Sequence, residues 1–163
     1  MSAYRSASDG RLSRAPAPSI FHERPVSEPT EPQPVRYERV SVVEPGDIDD
    51  LGHVNNVVYL RWVQDVAAAH WEATIAPEER VDVAWVVLRH EIDYQHPAVL
   101  GDQVVARTWV GTARATTFER HTEILRASDR RVLARARSLW CPVNARTGRP
   151  RRLDPALNER FYS

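Results

Sequence analysis

The run of residues 57–73 constrains the fold of this chain more than any other stretch of its sequence. Apolar side chains are spread widely around a helical projection of this run. Its polar residues fall mostly on one stripe of the projection: Arg61, Gln64, Asp65 and Glu72. A helix that offers only a narrow face to water must bury the rest of its surface, so the run predicts a long helix enclosed by a sheet.

Segments with strand character lie on both sides of the predicted helix. Residues 36–43 precede it and alternate in the manner of a strand. Four segments follow it, separated by turn signals: residues 83–94, 103–112, 116–126 and 132–143. Pro155 and Leu157 suggest a short terminal helix. The order β-α-β-β-β-β predicts an α+β fold, in which an antiparallel sheet wraps one long helix, although spacing alone also permits other α+β sandwiches.

Chain length and local composition predict a single domain behind a disordered tail. A chain of 163 residues is long enough for one sizeable core. Residues 1–34 hold six of the twelve prolines and few large apolar side chains, so they bury too little surface to offset their ordering entropy. We therefore expect a disordered tail over residues 1–34, in which Ile20 and Phe21 could dock on a partner subunit, and a domain over residues 35–163.

Charge and cysteine content narrow the classes of function. The 22 basic and 22 acidic residues cancel, so no net charge recruits nucleic acid or an anionic membrane. The single cysteine, Cys141, excludes an internal disulfide and fits a reducing cytoplasm. Its place on a predicted strand favours a buried structural thiol over a nucleophile. We find no signal-peptide core and no apolar run near the ~20 residues of a membrane span, so we expect a soluble, cytoplasmic protein.

Residues 47–56, D-I-D-D-L-G-H-V-N-N, contain the side chains that most clearly indicate a chemical function. Either Asn55 or Asn56 supplies the side chain that caps the helix. The segment brings carboxylates and an imidazole close to unpaired helix-start amides, which stabilise developing negative charge. A carboxylate at such a place can act as a general base or a nucleophile toward an acyl carbonyl. A plain capped helix after an Asp-rich turn fits the local pattern as well.

The same segment resembles the signature of the hotdog-fold acyl thioesterases. The likeness is closest to the 4-hydroxybenzoyl-CoA thioesterase type and its acyl-CoA and acyl-ACP relatives, through the pattern D-x-D-x-x-G-H-V-N-N-x-x-Y-L-x-W. Residues 88–98 and 140–153 are similar to the family's next strand and to its last strand and closing turn. The resemblance extends over about residues 36–155 and implies a hotdog fold, a five-stranded antiparallel sheet around one central helix.

The resemblance also implies roles for individual residues. The family's catalytic carboxylate falls on Asp49, and Asp47 takes a supporting role. The carbonyl-polarising backbone amide falls on Asn56. The plant acyl-ACP thioesterases recruit a His that matches His53, but Leu51 stands where their Asn would be, which favours a mechanism centred on Asp49.

Further candidates concern substrate binding. Within the motif these are Gly52, Asn55 and Tyr59, although Tyr59 is also well placed for packing. A polar hairpin with Arg114, Thr116 and Thr117 could contact the phosphates of coenzyme A, unless it is simply a solvated turn. The basic residues 149–152 could serve the same purpose. The histidines at positions 90 and 96 lack metal-ligand spacing, so we expect no metal site.

The resemblance implies a thioester hydrolase that cleaves acyl-CoA to free acid and CoA without a cofactor. Acyl-ACP hydrolysis, a hydratase or dehydratase on the same fold, and a non-catalytic acyl-CoA-binding module are the alternatives. In hotdog proteins the pantetheine channel usually lies between two subunits, which implies a homodimer or a homotetramer.

Overall fold

A computed structural model describes residues 32–163 of the chain, and its elements follow the predicted order. They are β1 (Tyr37–Val42), α1 (Asn56–Thr74), α2 (Pro77–Arg80), β2 (Val83–Tyr94), β3 (Gln103–Arg114), β4 (Thr117–Arg126), β5 (Val132–Asn144) and α3 (Pro155–Glu159). The predicted bounds of β2 agree with the structure, and those of the other strands differ by one or two residues. The short helix α2 and a 3-10 turn at Pro45–Asp47 were not predicted, because three or four residues leave no periodicity to detect.

The five strands form one antiparallel sheet in the order β1-β3-β4-β5-β2. The strands β3, β4 and β5 make a meander through short turns, and β2 pairs antiparallel with β5. The strand β1 pairs with β3 on the other side, which leaves β1 and β2 as the edges of the sheet. The predicted α+β architecture of one antiparallel sheet and one long helix is therefore confirmed.

The long helix α1 begins where the sequence places its cap. Asn55 is the capping residue, since its side-chain oxygen accepts a hydrogen bond of 3.0 Å from the backbone N–H of Val57. The helix ends at Thr74, and Ile75 returns to an extended conformation. Pro77 then lies in the first turn of α2, where its missing N–H costs nothing.

One face of α1 supplies the core, and its exposed face is wider than the narrow polar stripe that the sequence predicts. Buried helix residues pack with the buried residues of the sheet, and the cluster includes Tyr59, Trp62, Val63, Val66, Val104, Ala106, Ile124 and Leu133. The exposed helix positions include Arg61, Gln64 and Glu72, as predicted, but also Val57 and Ala68. The reason is geometric, because a single sheet can contact only one side of a helix.

A second cluster of buried residues gathers at the end of α1 and holds the C-terminal segment of the chain. Phe161 is 1% exposed and packs with Trp71, Ile75, Val110 and Phe118. Cys141 is free and buried, as its place on a predicted strand indicated.

The predicted tail falls largely outside the described residues, so its disorder stays a prediction. The first described contacts of the chain join Gln33 to Ser163 through two backbone hydrogen bonds of 3.0 and 2.9 Å. Within residues 32–163, no helix is long and apolar enough to cross a membrane.

Candidate active site

The turn before α1 is built around the carboxylate of Asp49. Its Oδ1 accepts hydrogen bonds from the backbone N–H of Leu51 (2.9 Å) and of His53 (3.4 Å). Its backbone N–H donates to the His53 carbonyl at 2.8 Å, and the N–H of Gly52 donates to the Asp49 carbonyl at 3.0 Å. Gly52 has a φ of +75°, which a residue with a Cβ rarely adopts. These bonds fix the half-buried Asp49 in one orientation, and Gly52 provides the backbone conformation that the turn requires.

The other carboxylate of the pair, Asp47, has a structural role. It is buried and accepts a hydrogen bond of 2.6 Å from the guanidinium of Arg61 on α1. It also accepts from the backbone N–H of Glu44 at 3.1 Å, and its carbonyl accepts from the N–H of Asn55 at 2.9 Å. Asp47 therefore ties the turn to the start of α1.

The start of α1 presents an unused hydrogen-bond donor. The Asn55 side chain satisfies the N–H of Val57, and the Asn55 carbonyl accepts from Val58 at 2.9 Å. The backbone N–H of Asn56 has no acceptor among the residues that the structure describes. It lies at the positive end of a 19-residue helix, a place that favours a bound or developing anion.

A pocket of about 310 Å³ brings several of the predicted residues together. Its lining includes Asp49, His53, Asn56 and Tyr59 from the motif, and Leu51 at its rim. The opposite wall comes from residues 94–97, at the end of β2. A carboxylate and a free helix-start N–H thus face one space, an arrangement suited to activating a nucleophile beside a carbonyl whose oxygen gains negative charge.

The remaining predicted residues lie elsewhere. Gly52 and Asn55 shape the turn and the helix cap but do not line this pocket. Arg114 and Thr117 line a different pocket, of about 250 Å³, near the β3–β4 hairpin, together with Arg152. Thr116 is exposed at the hairpin turn between them. The structure therefore separates the candidate phosphate contacts from the carboxylate.

The hydroxyl of Tyr59 holds the wall of the pocket in place. It accepts a hydrogen bond of 2.8 Å from the backbone N–H of Ala98 and donates to the His96 carbonyl at 3.5 Å. Burial raises the pKa of Tyr59, so its hydroxyl stays protonated at neutral pH. Both bonds join α1 to the segment after β2. Of the two roles considered for Tyr59 from the sequence, packing agrees with these contacts.

Sequence reasoning missed Tyr94, the last residue of β2. Its hydroxyl donates to the carbonyl of Asn56 at 3.2 Å, and its ring meets the ring of Tyr59 edge-on with centroids 5.4 Å apart. Partial burial raises its pKa. The only signal was its place within the second stretch of resemblance, because Tyr94 is 38 residues from Asn56 along the chain.

The described residues around this site do not form a group of metal ligands. Within residues 32–163, no three His, Cys, Asp or Glu side chains are grouped closely enough to hold an ion. The chemistry available in the pocket is that of a carboxylate, an imidazole and backbone N–H groups.

Comparison with known proteins identifies relatives of the whole described domain. The family model of the thioesterase-like superfamily matches residues 43–161, which is most of the chain. No curated protein matches the chain.

Solved structures match over similar lengths. A thioesterase from Thermus thermophilus, in complex with coenzyme A and Zn, is 28% identical, and the match covers 76% of this chain and 95% of that chain with a TM-score of 0.65. A 1,4-dihydroxy-2-naphthoyl-CoA thioesterase from Synechocystis is 20% identical, with coverage of 78% and 96% and a TM-score of 0.67. A 12:0-ACP thioesterase from Umbellularia californica is 16% identical, with coverage of 77% and 49% and a TM-score of 0.66.

Proposed function

The chain belongs to the thioesterase-like superfamily, and we propose that it hydrolyses an acyl-CoA to the free acid and CoA with Asp49 as its catalytic carboxylate. Its hotdog fold and its class as a thioester hydrolase agree with the resemblance drawn from the sequence. The observation that carries the proposed site is the shared pocket of Asp49 and the unpaired Asn56 N–H.

The proposed reaction uses both of these groups. Asp49 either takes a proton from water as the water attacks the thioester carbonyl, or attacks the carbonyl itself to give an anhydride that water then cleaves. The carbonyl oxygen becomes an oxyanion, which the Asn56 N–H and the helix dipole stabilise. Collapse of this intermediate breaks the C–S bond, and the thiolate of CoA leaves and takes up a proton. His53 lines the same pocket, and we assign to it the orientation of the thioester.

Coenzyme A is the favoured carrier of the acyl group. The Thermus relative is 28% identical and was solved with coenzyme A. Arg114, Thr117 and Arg152 line a common pocket that suits an anionic phosphate. A carrier protein is the alternative, since the plant relative is an acyl-ACP thioesterase.

We further propose that two subunits pair through the β2 edge to complete the pocket. Among residues 32–163, β2 pairs only with β5, so its other edge can continue the sheet into a second subunit. Large apolar side chains are exposed along β2, with Val86 at 47% and Leu88 at 55%, and beside the pocket, with Leu51 at 81% and Val57 at 70%. Such a patch marks an interaction surface, and a tetramer would be a pair of these dimers.

Release of free thiol from a panel of acyl-CoA and acyl-ACP esters tests this function. Asp49→Asn should lower kcat/KM by about 10²- to 10⁴-fold, because Asn lacks the basic oxygen. The Asn side-chain oxygen can still accept from Leu51 and His53, so the turn should persist and the melting temperature should stay close to that of the parent.

The neighbouring residue provides the matched control. Asp50 is exposed, and its side chain forms no hydrogen bond or ion pair among the described residues. Asp50→Asn makes the same chemical change one residue away, and we expect it to retain full turnover. Near-normal turnover by Asp49→Asn would contradict the assignment of the catalytic carboxylate, and thioester binding without thiol release by the parent would indicate a binding module.

A further inference from the structure

A second cavity, of about 250 Å³, lies against the last turns of α1. Trp71, Trp85, Phe118, Trp140 and Phe161 supply most of its wall. At 1.5 Å per residue, Trp71 lies roughly 22 Å along the helix axis from Asn56. The cavity shares no lining residue with the pocket of Asp49, so it is a separate site within the subunit.

The cavity wall also contains Arg120, a buried cation without a counter-ion. Arg120 is 6% exposed, and no Asp or Glu among the described residues lies within ion-pair distance of its guanidinium. Its Nη1 donates to His70 Nδ1 at 3.0 Å and more weakly to the Thr108 hydroxyl at 3.4 Å. Burial lowers its pKa to about 10, so Arg120 remains charged at neutral pH.

The neighbours of Arg120 do not neutralise this charge. Burial and the charge of Arg120 lower the pKa of His70 to about 4, so the imidazole is neutral and its Nδ1 is free to accept. The face of the Phe161 ring, 5.8 Å from the guanidinium carbon, offers only a weak cation–π attraction. Glu72 reaches the cavity, but its side chain is 64% exposed and lies 3.8 Å from Arg80.

Two further donors in the wall lack acceptors. The indole Nε1–H groups of Trp85 and Trp140 are buried, and neither has a hydrogen-bond partner among the described residues. Buried polar groups are nearly always paired, and an unpaired buried charge is especially costly. The cavity therefore combines a buried cationic side chain with flat apolar walls.

We propose that this cavity binds a small carboxylate with a flat apolar body, such as an aryl carboxylate. The carboxylate would pair with the Arg120 guanidinium, and the ring would lie among the tryptophan and phenylalanine side chains. A cavity of about 150 Å³ already admits benzene, and this one, at about 250 Å³, has room for a ring and its carboxylate. The ligand is a free acid of the kind that thioester hydrolysis releases. The distal carboxylate of an aryl thioester held at Asp49 could not reach Arg120, because the cavity lies roughly 22 Å farther along α1.

Binding of free acids tests the site without any turnover. The full chain is titrated with benzoate and with benzamide, a neutral analogue of the same shape, and tryptophan fluorescence is followed because three of the five tryptophans line the cavity. We expect benzoate to bind about ten- to a hundredfold more tightly, as charge-assisted hydrogen bonds provide. Equal affinity for the two compounds would overturn the proposal.

Variants assign the preference to Arg120. Arg120→Met removes the charge at similar length and should bring the benzoate-to-benzamide ratio close to one, with an unchanged or higher melting temperature because an unpaired buried charge is lost. Arg131→Met is the control, since Arg131 is exposed in the turn between β4 and β5, and it should leave the ratio unchanged. Retention of the full preference in Arg120→Met would refute the site.

Hydrolysis then tests whether a released acid occupies the cavity, and this arm alone rests on the proposed function. The kcat/KM of benzoyl-CoA is measured with and without added benzoate in the parent and in Arg120→Met. Benzoate inhibition that Arg120→Met relieves supports a released acid as the ligand. Inhibition that is absent, or equal in the two proteins, counts against it. Failure to cleave benzoyl-CoA, with benzoate binding intact, counts against the proposed function and not against the cavity.

Discussion

Acid should destabilise this protein through His70, and the structure gives the size of the effect. His70 is 2% exposed, and its ring stacks on Tyr37 with centroids 5.2 Å apart and planes 7° from parallel. Its Nδ1 accepts from Arg120, the only charged group in hydrogen-bond contact with it among the described residues. Protonation would remove that acceptor and place a second positive charge beside the guanidinium.

The direction follows from proton binding. The pKa of His70 is about 4 in the folded chain and 6.5 as the ordinary value, chiefly because burial disfavours the imidazolium. The unfolded chain therefore binds more protons between these values, and the free energy of unfolding falls as the pH drops below about 6.5. At 1.36 kcal/mol for each pH unit, the loss amounts to about 3 kcal/mol by pH 4. This is a large part of a typical stability of roughly 5–15 kcal/mol.

Urea unfolding of the parent and of His70→Gln at pH 7, 6, 5 and 4 measures this loss. Glutamine does not titrate, and its amide oxygen can still accept from Arg120. We expect the parent to lose about 3 kcal/mol more than the variant between pH 7 and pH 4. His90, whose pKa burial also lowers, titrates in both proteins and cancels in the difference. Parallel pH dependences of the two proteins would refute the reasoning.

Other predictions concern the site and the assembly. Asp47→Asn should lower the free energy of unfolding, as measured with urea, by about 1–3 kcal/mol, because it weakens the bond with Arg61. It should reduce turnover less than Asp49→Asn does. Tyr59→Phe should cost about 1–3 kcal/mol in the same assay, because it leaves the Ala98 N–H without its acceptor. A chain that begins at Pro32 should stay folded and active, and loss of activity would show that the tail docks on the domain. Dilution should abolish turnover before it unfolds the chain, with sedimentation reporting the dimer; a fully active monomer would contradict the shared pocket.

The long helix and the strands were predictable because each of them is encoded by its own residues. The apolar run and the Asn55 cap locate α1, and alternation locates the strands. Which strands become neighbours is not encoded in this way, because β1 lies beside β3 and β2 beside β5 through contacts between residues far apart in sequence. The edges of the sheet, and so the surface proposed for pairing, needed the structure.

The candidate site was predictable to the extent that it is local. Asp49, His53 and Asn56 lie within eight residues, and the structure brings them to one pocket. Tyr94 reaches them only through the pairing of distant segments. The roles of Asp49, His53 and Asn56 in catalysis remain predictions, of which the thiol-release experiment tests that of Asp49.

Arg120 shows why a buried charge escapes sequence reasoning. In the strand pattern of β4 it looks like any polar residue of a half-exposed sheet, and its partner His70 is fifty residues away on α1. The identity of that partner matters. A carboxylate at position 70 would form a buried ion pair and satisfy the guanidinium, whereas a neutral imidazole accepts one of its hydrogen bonds and leaves its charge uncompensated. The pairing with a neutral acceptor holds Arg120 in place and keeps its charge available to a ligand. The burial of His70, together with the charge of Arg120, makes the fold sensitive to acid.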